Sequence, residues 1–128
     1  MAASLTPDEL KRRTKRFALQ IIALVGSLPR SLAAEIIGRQ LLRSGTSVGS
    51  NYRAACRARS RSEFTSRLAV AEEEADETLY WLELLAESGL VRAERLRELL
   101  KEADELTAIF TASRKTAGRK DGGSTTRN

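Results

Sequence analysis

Four stretches of this chain repeat apolar residues every three or four positions, and that period leaves few folds open. A stripe with the 3.6-residue period of an α-helix has to be covered by another helix. The first seam is Leu10, Thr14, Phe17, Ile21, Leu24 and Leu28. Thr6-Pro7-Asp8-Glu9 opens it: Thr6 caps, Pro7 suits the first turn, Glu9 completes a capping box, and Pro29 ends the helix. The second seam follows Ser31 as Ala34, Ile37, Leu41, Ser44, Val48, Asn51 and Ala55. The third opens on a second capping box, Ser60 with Glu63, and runs through Phe64, Leu68, Ala71, Ala75, Thr78, Leu82 and Leu85 to a stop at Gly89. The fourth runs through Leu96, Leu99, Ala103, Leu106 and Phe110.

These seams predict helices at about 7–28, 32–59, 61–88 and 92–113. At 1.5 Å per residue they are about 33 to 43 Å long. Four such helices with short connections make an all-α, up-down-up-down antiparallel four-helix bundle spanning residues 1–113. No strand pattern and no internal repeat is visible. Aromatics at 5% and charged residues at 30% agree with long helices.

The net charge is +5, and the last fifteen residues carry +4 of it. Residues 114–128 are also rich in Gly, Ser and Thr, so they read as a disordered basic tail that either binds polyanions or serves solubility. No apolar run approaches the roughly 18 residues needed to span a bilayer, and the N-terminus lacks the blocks of a signal peptide. The single cysteine, Cys56, has no internal disulfide partner, which points to the cytoplasm.

The stretch from Arg43 to Arg61 admits three readings. Gly45-Thr46-Ser47-Val48-Gly49 matches the G-x-S-x-G pattern of a hydrolase elbow. That chemistry needs a strand, a strained turn and a general base. The segment lies inside a helical seam, the chain has no histidine, and no lysine lies between Lys15 and Lys101. The expectation is a non-enzyme with no catalytic residue and no cofactor. No metal site is expected either: Glu72, Glu73 and Glu74 are consecutive, spread around their helix, and read as a solvated or salt-bridged face.

In the packing reading, Gly45 and Gly49 each cost about 1 kcal/mol against alanine within a helix, a cost that close approach of a second helix offsets. Asn51 then makes a buried polar contact, with Arg43 or a glutamate of the third helix as candidate partner. A kinked, solvent-facing segment is the alternative. Around Leu79 to Leu85 the third helix is apolar on nearly every side. Val70, Trp81 and Leu84 form a second stripe there, read as a contact with a further copy of the chain, or else as aromatic packing within the monomer.

The third reading concerns the arginines. Up-down-up-down topology gathers Lys11, Arg12, Arg13, Lys15, Arg16, Arg53, Arg57, Arg59, Arg61 and Arg67 at one pole. Arg12, Arg13, Arg16, Arg53, Arg57 and Arg61 are the candidates for contacting phosphates, with Tyr52 able to stack on a base. The expected function is nucleic-acid binding, RNA favoured, by an oligomeric bundle. The alternative is a protein-interaction scaffold that uses the apolar stripe of the third helix.

The block Gly38-Arg39-Gln40-Leu41-Leu42-Arg43-Ser44-Gly45-Thr46-Ser47-Val48-Gly49-Ser50-Asn51-Tyr52-Arg53-Ala54-Ala55-Cys56-Arg57, with Ser62-Glu63-Phe64 and Glu72-Glu73-Glu74-Ala75-Asp76-Glu77 after it, resembles the bacterial four-helix bundle family known as the S23 or 23S rRNA intervening-sequence proteins. The resemblance covers roughly residues 10 to 113. It implies a small cytoplasmic bundle assembled as a homopentamer. Some members are encoded within inserts of large-subunit rRNA genes. A related branch, the accessory variability determinant of diversity-generating retroelements, binds RNA and a reverse transcriptase. The family has no agreed functional-residue motif, so the resemblance implies fold, pentamer and a nucleic-acid role, and no site residue.

Overall fold

The computed structural model describes residues 5–126, with side chains through Arg119. It contains four α-helices: α1 (Pro7–Gly26), α2 (Leu32–Cys56), α3 (Arg61–Glu87) and α4 (Ala93–Thr126). Each of the first three starts on a hydroxyl cap. Thr6 Oγ1 accepts from the Glu9 amide at 3.1 Å, Ser31 Oγ from Ala34 at 3.1 Å, and Ser60 Oγ from Glu63 at 3.0 Å. These bonds satisfy amides that have no partner inside the helix. Gly89, at φ +80°, makes the left-handed turn after α3 that only glycine adopts without strain.

The helices pack in chain order, α1 on α2, α2 on α3 and α3 on α4, and a thinner α1–α4 seam closes the bundle. The expected seams form the core. Phe17, Ile21, Leu41, Leu68, Leu82, Leu106 and Phe110 are fully buried. Polar clasps cross the seams. Arg13 spans α1 to α4, Arg43 spans α2 to α3, and Glu72 spans α3 to α4.

Three boundaries differ from the sequence expectation. α1 and α2 end at Gly26 and Cys56, earlier than 28 and 59. In both, the last amides turn back to carbonyls three residues behind, Ser27 to Leu24 and Arg57 to Ala54, which tightens the exit. α4 runs past residue 113 into the segment read as a disordered tail. Two side chains anchor that extension: Arg114 pairs with Glu72 at 2.6 Å, and Ala117 is buried. Residues 127 and 128 of the expected tail lie outside the described residues.

Candidate nucleic-acid interface

The glycines of α2 settle where the helices touch. A Cβ built on Gly45 would lie 2.9 Å from two atoms of Ile21, and one on Gly49 would lie 3.1 Å from Thr14 Oγ1. Both are buried, so this half of α2 lies directly against α1. Ser44 is buried on the other side, its hydroxyl 2.9 Å from that of Thr78 on α3. The G-x-S-x-G segment is therefore continuous helix. Ser47 Oγ donates to the Arg43 carbonyl at 2.6 Å, and the strand and strained turn of an elbow are not there.

Close packing of α1 on α2 leaves a groove of about 620 Å³ along their outer surface. Lys11, Arg12 and Lys15 line it from α1, and Arg53 and Arg57 from the end of α2 and its cap. Thr14, Thr46, Gly49 and Ser50 contribute the small residues between them. No carboxylate lines the groove, and none of the five cations has an ion-pair partner among the described residues. Such a surface concentrates positive potential where no described carboxylate pairs with it.

The six arginines expected to act together are divided by the fold. Arg12, Arg53 and Arg57 line the groove. Arg16 lies beside it, in a hollow shared with Arg12, Glu9 and Glu102. Arg61 lines a different hollow, with Phe64, Ser113 and Thr116. Arg13 corrects the expectation outright. Its guanidinium is held by both oxygens of Glu102, at 2.7 and 2.8 Å, and by Glu105 at 2.7 Å. Those bonds raise its pKa further above the ordinary arginine value, and they commit it to holding α1 on α4.

Asn51 and Tyr52 are also corrected. Asn51 Nδ2 donates to the Ser47 carbonyl of its own helix at 2.9 Å, while Arg43 pairs with Glu74, at 3.2 Å, and with Glu77. A short amide i,i+4 to a carbonyl satisfies itself locally, whereas the longer guanidinium reaches α3. Tyr52 is buried with its ring 5.7 Å from that of Phe110. Burial, then its neighbour Cys56, pushes its phenol above the usual range. It is a core residue with no face for a base.

The stripe of α3 is partly covered. Val70, Trp81 and Leu84 are all half-buried. Trp81 Nε1 donates to Glu77 at 3.0 Å, and the ring packs against the core and edge-on to Tyr80. The large exposed apolar side chains lie mainly elsewhere, with Leu19 and Ile22 on α1 and Leu32 and Ile36 on α2. Sequence reasoning missed Thr46 and Ser50, and it placed Lys11 and Lys15 only at a pole. The signal was the matched i,i+4 spacing of Lys11/Lys15 and Arg53/Arg57 on either side of the glycine contact.

The model of the 23S rRNA-intervening sequence protein family matches residues 9–112. The chain belongs to that family. A solved structure similar to this chain is a protein of unknown function from the S23 ribosomal protein family of Bacteroides thetaiotaomicron. It superimposes with a TM-score of 0.80 at 32% identity, over 87% of this chain and 99% of the other. No curated protein matches the chain. No described helix is long and apolar enough to cross a membrane.

Proposed function

We propose that this chain is a non-enzymatic, cytoplasmic, oligomeric bundle that binds nucleic acid, RNA above all, along the α1–α2 groove. The observation that carries the reading is the set of five cations, Lys11, Arg12, Lys15, Arg53 and Arg57, lining one groove with no carboxylate and no ion pair among the described residues. Phosphate groups supply the missing charge, and release of their counterions drives binding. The family's name ties its members to inserts in 23S rRNA genes, which supports RNA as the polyanion. Titration of a labelled structured RNA, followed by fluorescence anisotropy at rising salt, tests the reading. Binding that weakens steeply with salt and is abolished by Arg53→Glu with Arg57→Glu is expected. Binding indifferent to both would overturn it.

The apolar surface supports assembly. Leu19, Ile22, Leu32 and Ile36 are exposed on α1 and α2, and a second copy is the natural cover for them. The resemblance implies a pentamer, whose grooves are then repeated around one ring. Light scattering should give about five times the 14.1 kDa of one chain. The alternative, a scaffold for a different protein, would leave the purified chain monomeric.

A further inference from the structure

The groove lacks what single-strand readers use. Proteins that hold unpaired strands stack bases on exposed aromatic rings. Here Phe17, Tyr52 and Phe110 are buried in the core, Phe64 lines another hollow, and Tyr80 and Trp81 lie on α3. No aromatic, asparagine or glutamine side chain lines the groove, so it has neither a stacking platform nor an amide to read a base edge. What it has is two facing pairs of cations at i,i+4 spacing, Lys11 with Lys15 and Arg53 with Arg57, about 6 Å apart along each helix axis. That suits a backbone whose bases are already stacked and paired within a duplex.

The hydroxyls add a second discrimination. Thr46 Oγ1 donates to the Leu42 carbonyl at 2.7 Å, and Ser50 Oγ donates to the Ser47 carbonyl at 3.1 Å. With their protons committed to their own helix, both offer the groove acceptor lone pairs. A phosphate oxygen is itself only an acceptor and gains nothing from them. A ribose 2′-hydroxyl is a donor, and it is the group that separates RNA from DNA. We infer that the α1–α2 groove takes the backbone of base-paired RNA. Lys11, Lys15, Arg53 and Arg57 hold the phosphates, and Thr46 and Ser50 accept from 2′-hydroxyls. The inference rests on the nucleic-acid reading above and names its ligand.

Anisotropy with the full chain and four probes tests it: a 20-base-pair RNA duplex, a second RNA duplex of shuffled sequence, the DNA duplex of the first sequence, and an unstructured single-stranded RNA. The two RNA duplexes should bind alike. The DNA duplex should bind at least about fivefold weaker, roughly that factor for each of the two 2′-hydroxyl bonds lost. The single strand should also be weaker. Thr46→Val with Ser50→Ala should bring RNA down to the DNA level while leaving the salt slope unchanged. Equal affinity for RNA and DNA duplexes, or preference for the single strand, overturns this inference and leaves nucleic-acid binding standing. No binding of any probe overturns both.

Discussion

A methyl group on Gly45 would lie 2.9 Å from Ile21, closer than non-bonded carbons approach. The α1–α2 contact is therefore set by the absence of a side chain. Gly45→Ala should destabilise the bundle by about 1–2 kcal/mol, because overpacking outweighs the roughly 1 kcal/mol of helix propensity that alanine adds. Gly118, with nothing within 4 Å of its added Cβ, is the control. Gly118→Ala should be neutral or slightly stabilising. Urea denaturation measures both.

Arg13 separates a structural arginine from a binding one. Arg13→Ala removes a bidentate clasp on Glu102 and a bond to Glu105 across the thinnest seam. A loss of about 1–2 kcal/mol of stability is expected, smaller at high salt, with RNA affinity unchanged under conditions where the variant is folded. If the variant lost RNA affinity while keeping its thermal midpoint, Arg13 would belong to the interface after all.

Arg53 and Arg57 should behave in the opposite way. Both are exposed and have no ion pair among the described residues, so Arg53→Ala with Arg57→Ala should leave stability within about 0.5 kcal/mol. The slope of log affinity for duplex against log salt should fall by about 1.8, as for two lost phosphate contacts. An unchanged slope would remove these residues from the interface.

Two carboxylates predict how the bundle responds to acid. The Arg114 guanidinium holds Glu72 below the usual carboxylate range, and the Trp81 indole together with Arg43 does the same for Glu77. A depressed folded-state pKa stabilises above the unfolded value, near 4.3, and that contribution fades as pH falls through the folded one. The thermal midpoint should drop as pH is lowered from about 5 to about 3. Glu72→Gln with Glu77→Gln should lower the midpoint at neutral pH and flatten that drop, which calorimetry across the range would show. Both groups are partly in water, so the difference is modest.

Much of the fold was legible because helix seams and caps are local. Thr6, Ser31 and Ser60 act within three residues of themselves, and Leu10, Phe17 and Ile21 recur on a period that any helix must present to one side. The candidate site was legible only in part. Arg12, Arg13 and Arg16 look alike in one dimension, yet they face the groove, Glu102 and the neighbouring hollow in turn. Arg13 lies about 100° from Arg12 around α1 and Arg16 only about 40° from Arg12, angles that gain meaning only once α2 and α4 occupy fixed sides. Arg114 could not be placed for the same reason, since it finds Glu72 forty-two positions away.

The sequence by itself determined that this chain makes four amphipathic helices and where three of them start. These follow from hydrogen bonds and periodicities spanning a few residues. Only the tertiary structure decided which cations stay free. An arginine is free or neutralised according to which carboxylate the packing brings within about 3 Å, and that depends on contacts between helices far apart in the chain. Packing committed Arg13 to Glu102 and Glu105 and Arg43 to Glu74 and Glu77. It left Lys11, Arg12, Lys15, Arg53 and Arg57 without an ion pair among the described residues, along one groove beside the glycine contact.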